Sequence, residues 1–151
     1  EMCIRDRYDA WAAGSVLCAF NATYDFTLLA RECERYGLGQ LEVRGPILDP
    51  YVIDKAVDRF RRGKRQLVDV ARHYGVSLSD DDAHGARADA DAAAELARKL
   101  ASNLQSPSTA NAQQAKWYRD QRESFAQWLA GKGNKAKADE VLRRLEWPVQ
   151  Y

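Results

Sequence analysis

The sequence predicts an α/β domain followed by a helical hairpin, on the strength of three observations. Two short apolar runs, Val16-Leu17-Cys18-Ala19-Phe20 and Ile47-Leu48, read as strands buried on both faces of a parallel sheet. Segments of helical period follow them, and two close on the same Tyr-Gly-aliphatic stop, Tyr36-Gly37-Leu38 and Tyr74-Gly75-Val76. After Ser102, a stretch rich in breakers leads into two more helical segments with no strand signal.

Composition bounds the problem. With 151 residues, 46% hydrophobic and 30% charged, the chain suits one compact soluble domain. A net charge of +1 excludes a globally basic nucleic-acid binder, so any such contact must come from a local patch. One candidate is present: Lys55, Arg59, Arg61, Arg62, Lys64 and Arg65 lie within eleven residues, interrupted only by Asp58. A solvated helix-and-turn surface is the plainer account of such a run. Cys3, Cys18 and Cys33 are odd in number and lack metal-ligand spacing, which suggests free thiols in a reducing, cytoplasmic setting. No apolar run approaches the ~18 residues of a membrane span.

In chain order, residues 1–7 are polar, show no strand or helix period, and join abruptly onto Tyr8. They resemble adapter read-through, so a non-native leader replacing a lost N-terminal portion is expected here. Tyr8 to Ala13 ends a helix at Gly14. After the first strand, Asn21 or Thr23 caps a helix with Leu29, Cys33 and Tyr36 on its apolar face. The second strand stops at Asp49-Pro50, since proline cannot donate to a ladder. Helices are expected over Tyr51–Phe60, Leu67–Tyr74 and Ala86–Ala101, the last packing through Ala90, Ala93, Ala94, Ala97 and Leu100. The main domain therefore spans 8–102 and a linker 103–111. The extension 112–151 forms a helical hairpin, with Trp117, Phe125, Trp128 and Leu129 near one side. Its tryptophans are expected to pack onto the domain rather than stack on bases.

Three residues carry the chemistry. Asp25 falls in the first turn of a helix after a buried strand, at the carboxyl edge where open α/β folds gather ligands. Helix dipoles also favour aspartate there without any function. His84 and Asp89 are five apart and share no face of one continuous helix, so they converge only with His84 in the loop. Asp91 is out of phase and should point elsewhere.

The order Phe20-Asn21-Ala22-Thr23-Tyr24-Asp25-Phe26, then Ala83-His84-Gly85-Ala86-Arg87-Ala88-Asp89, resembles the second and third motifs of DEDDh exonucleases. That group contains the proofreading subunit of bacterial DNA polymerase III, and the tail ending Trp147-Pro148 is similar to that of actinobacterial members. The resemblance covers Val16–Leu100, and it implies an RNase H-like sheet, two Mg²⁺ or Mn²⁺ ions, and 3′→5′ release of nucleoside monophosphates. It assigns Asp25 and Asp89 as metal ligands and His84 as general base. Asn21, Phe20 and Lys64 are then the substrate-binding residues. The family's first motif, Asp-x-Glu, does not occur before Asn21, so the sheet is expected to lack its first strands and the chain to be inactive alone. Single-stranded DNA ends are the expected substrate, with a DNA polymerase as a possible partner and no membrane. The competing expectations are a non-catalytic nucleic-acid-binding or polymerase-associated module and an RNA-directed exonuclease.

Overall fold

The computed structural model describes residues 4–78 and 85–151, and it is predominantly helical around a small parallel sheet. In chain order the elements are α1 (Ile4–Ala12), β1 (Leu17–Cys18), α2 (Ala22–Arg35), β2 (Ile47–Leu48) and α3 (Pro50–Val57). They are followed by α4 (Leu67–His73), α5 (Ala86–Leu100), a 3₁₀ turn (Ala101–Asn103), α6 (Ala110–Gly131) and α7 (Lys135–Leu142). The expected loop Ser79–Asp82 and His84 lie outside the described residues.

β1 and β2 pair in parallel, Leu17 opposite Ile47 and Cys18 opposite Leu48. The outer edge of β2 is closed by side-chain amides of α6 rather than by a strand. Asn111 Oδ1 accepts from Ile47 N at 2.8 Å, and Gln114 Oε1 accepts from Asp49 N at 2.8 Å. Gln114 Nε2 donates to Ile47 O at 2.7 Å. Two amides thus satisfy backbone groups that would otherwise be buried without partners, at a cost of about 1–3 kcal/mol each. Among the described residues, the other edge of β1 has no strand partner.

Both expected Tyr-Gly stops are present. Gly37 and Gly75 adopt φ of 66° and 65°. Leu38 N donates to Cys33 O at 2.8 Å and Val76 N to Ala71 O at 2.8 Å, closing each helix with the six-to-one bond of a Schellman motif.

Several boundaries and faces differ from the sequence reading. Ile4–Arg7 continue α1 although they lack a helix period of their own; Tyr8, just beyond them, is buried and anchors the helix edge-on against Phe26. The buried face of α2 is Phe26, Ala30 and Cys33, which leaves Tyr36 exposed beside the terminal glycine. α5 buries Ala92, Ala93, Leu96, Ala97 and Leu100, a face rotated away from Ala90 because Leu96 is the larger apolar side chain. α6 starts at Ala110, so part of the expected linker is helical and Asn111 already contacts β2. Of the tail tryptophans, Trp147 is buried and Trp117 packs against the main core, whereas Trp128 is 57% exposed.

The main core joins Phe26, Cys33, Ile47 and Val52 to Tyr118 and Trp147 from the tail. A second cluster, Val70, Val76 and Leu96, ties α4 to α5, and Ala126, Leu129, Ala138 and Val141 hold the α6–α7 hairpin. Among the described residues, no helix is long and apolar enough to cross a membrane.

Candidate functional site

The turn from β1 into α2 is set by a carboxylate from elsewhere in the chain. Asn21 sits at the helix N-cap in the left-handed region (φ 64°, ψ 57°), and its side chain makes no capping bond. Its side-chain oxygen instead accepts from Thr23 Oγ1 at 3.3 Å. The cap is Asp49, fully buried at the end of β2. Asp49 Oδ1 accepts from Asn21 N at 2.9 Å, Tyr51 N at 3.1 Å and Val52 N at 3.4 Å. Asp49 Oδ2 accepts from Ala22 N at 2.9 Å and Trp147 Nε1 at 3.2 Å. One carboxylate therefore caps α2 and α3 together, with the tail indole closing its last side. Burial raises its pKa, and the donors of Trp147, Ala22, Asn21 and Val52 pull it back.

Asp25 lies in the first turn of α2, as expected, with its residue surface exposed. It borders a shallow concavity of about 220 Å³ with Leu17, Cys18, Ala19 and Phe26. This apolar surround raises the pKa of its carboxyl by desolvation, opposed by a bond from its own backbone N–H. Asp89 is half-buried in the first turn of α5. One turn later, Ala93 O accepts from Cys18 Sγ at 3.3 Å, so the α5 face shared by Asp89 and Ala93 lies against β1. Helices bearing the two motif carboxylates thus both adjoin Cys18. The Cys18 thiol is pushed up to about 12 by burial and by the Asp49 charge, partly offset by Arg98, and stays a neutral donor.

The other expected site residues divide. His84 lies outside the described residues. Asn21 presents its backbone to Asp49 and lines a separate groove between α2, α3 and α6. Phe20 is half-buried, packs against the α4–α5 cluster and meets Tyr51 edge-on at 5.6 Å, so its ring is largely occupied by packing. Lys64 is exposed, and Asp91 pairs with Arg87 at 3.7 Å on the outer surface of α5.

The basic run Lys55–Arg65 is not one patch. Arg61 and Arg65 fold back onto fully buried Asp54, with Arg61 Nη2 2.6 Å and Arg65 Nη1 2.6 Å from Asp54 Oδ2. These two guanidiniums neutralise a buried charge and hold the 58–65 loop. Lys55 and Arg59 face outward along α3 and its end.

The fit to divalent ions is partial. Asp25 and Asp89 offer the hard oxygen donors that Mg²⁺ or Mn²⁺ prefer. Among the described residues, no three His, Cys, Asp or Glu side chains converge on one point. The packing of Trp147 was expected, but its bond to Asp49, the double-capping role of Asp49 and the edge-closing role of Gln114 were not. The only signal for Asp49 was an aspartate directly before proline, an N-cap pattern with proline at the first helical position. In comparisons with known proteins, no family model, no curated protein and no solved structure matches this chain.

Proposed function

We infer that the chain is built for 3′→5′ exonucleolytic hydrolysis of nucleic-acid ends on an RNase H-like scaffold of the DEDDh type, acting in the cytoplasm. The observation that carries this reading is the arrangement of the two motif carboxylates. Asp25 and Asp89 stand in the first turns of two helices that both adjoin Cys18 of β1, the strand whose outer edge has no strand partner among the described residues. Bound Mg²⁺ or Mn²⁺ would supply charge neutralisation at the scissile phosphate. In this reading Asp25 and Asp89 are metal ligands, His84 accepts the proton of the attacking water, and Asn21, Lys64 and the part of the Phe20 ring that packing leaves open contact the terminal nucleotides. The two further carboxylates belong on a strand pairing with β1, and no Asp-x-Glu precedes Asn21 in this sequence. Single-stranded DNA is the favoured substrate, with RNA as the alternative and a DNA polymerase as the partner class.

The test compares this chain with a version extended upstream through an Asp-x-Glu strand, each incubated with a labelled single-stranded oligonucleotide and Mn²⁺. The 151-residue chain is expected to degrade it little or not at all. The extended version should shorten it stepwise from the 3′ end, and Asp25→Ala, Asp89→Ala or His84→Ala should each remove at least ~99% of that rate. An extended version that stays inert, or that keeps its rate in these variants, sinks the reading.

A further inference from the structure

A groove lies on the opposite flank of α2 from Asp25. It encloses about 590 Å³ between α2, α3, α6 and the segment after α7. Among the described residues, four cationic side chains line it, Arg31, Lys55, Arg122 and Arg144, and no carboxylate does. The chain as a whole is nearly neutral, with 23 basic and 22 acidic residues, so this segregation is a local property of the groove. Among the described residues, no carboxylate lies within ion-pair distance of Arg31, Lys55 or Arg122. Arg144 alone meets one, exposed Glu140 at 3.6 Å. Arg122 donates to Val141 O at 3.5 Å, and its buried Nε has no partner among the described residues.

Aromatic rings stand among these charges. Tyr24 is 68% exposed on the α2 wall and Phe125 is 41% exposed on the α6 wall, with Tyr51 between them on α3. Phe125 also stacks nearly parallel on Trp128, centroids 5.9 Å apart at 13°, giving an exposed two-ring platform at the groove margin. Lys55, Gln121 and Phe125 continue into a second concavity of about 510 Å³ between α3 and α6, which adds Arg59 and Arg65. Its single carboxylate, Asp120, is held by Lys116 at 2.7 Å. With Arg65 committed to Asp54, the two together form a path of positive charge carried by Arg31, Lys55, Arg59, Arg122 and Arg144 and studded with exposed rings.

We propose that this groove binds single-stranded nucleic acid, the cations following the phosphates and the exposed rings stacking on bases. Exposed aromatic faces favour this ligand over an acidic peptide, because every base offers a ring to stack on whereas carboxylate side chains offer none. The groove excludes Asp25 and Asp89 and shares only Asn21 with the proposed catalytic residues, and the variants that test it leave Asn21 unchanged.

The probe is a fluorescently labelled oligo-dT of about 12 nucleotides, inside the ~4–16-nucleotide range of single-strand binders, titrated with the whole chain in EDTA so that no hydrolysis intervenes. Tyr24→Ala or Phe125→Ala should each weaken binding about tenfold, and the Arg31→Ala/Arg122→Ala pair should lower the salt slope by about 1.4, near 0.7 per lost cation for a single strand. Arg35→Ala/Arg119→Ala, on exposed positions outside both concavities, should leave affinity within about twofold of wild type. Tyr24, Phe125 and Arg31 are exposed, so these variants keep the test readable where Arg122→Ala loosens the hairpin. Groove variants that bind as wild type overturn the proposal. So does binding that ignores the aromatic changes and is competed equally by polyglutamate, which would assign the groove to acidic peptides.

Discussion

Asp49 concentrates more of the structure than any other single side chain described above. Five donors from three parts of the chain converge on one buried carboxylate. Asp49→Asn keeps the shape but turns an NH₂ towards N–H groups, so it should cost about 2–4 kcal/mol, measured by urea unfolding. Trp147→Phe removes one donor and keeps most of the packing, with an expected loss of about 1–2 kcal/mol. The pH dependence follows from the direction of the shift. A carboxyl whose folded pKa lies above its unfolded value of about 3.8 makes the folded state bind more protons, so its contribution falls as pH rises through that window. The disadvantage of Asp49→Asn should therefore narrow as pH is raised from about 4 towards neutrality, followed by thermal melts. None of this was legible in the sequence beyond the Asp-Pro capping pattern. The partners of Asp49 beyond its own helix lie 27, 28 and 98 residues away, and no local period reports such distances.

Among the elements, α3 and the loop after it show how a charge run can mislead. Lys55 to Arg65 reads as one basic surface, yet Asp54 withdraws Arg61 and Arg65 into a buried ion cluster. Tyr74 lies near it, and its phenol is pushed up to about 12, chiefly by burial and then by the Asp54 charge. Asp54→Ala strands two mostly buried guanidiniums and should cost about 3–5 kcal/mol, seen as a lower urea midpoint at unchanged slope. The helices themselves were legible because apolar spacing and glycine stops act within a few residues. Gly37 and Gly75 ended α2 and α4 where the Tyr-Gly-aliphatic pattern placed them. The rotation of the α5 face was not, since alanines at many phases left the choice to Leu96 and its neighbours.

For the molecule as a whole, the apolar runs sufficed to predict a small parallel sheet with helices around it. What they could not convey is how the sheet ends. Asn111 and Gln114 close β2 from α6, and amide side chains carry no hydrophobic period to betray that role. The C-terminal extension is therefore part of the domain core rather than an appendage. Deleting residues 146–151 should leave much of the helical far-UV signal while abolishing a cooperative thermal transition and exposing apolar surface to ANS. A deletion variant that melts cooperatively near the wild-type temperature would contradict this account of the core.

The bond from Trp147 to Asp49 spans 98 residues. During synthesis, β1, β2 and the Asn21 turn all emerge well before the indole that completes them. At ~5–20 residues per second the interval is roughly 5–20 s. The nascent chain must wait through that time with an aspartate in its centre still short of a donor. Native packing around the Asn21 turn is therefore completed only once Trp147 has been made and has left the ribosome, and a chain cleaved before Trp147 would have its helices but not its keystone.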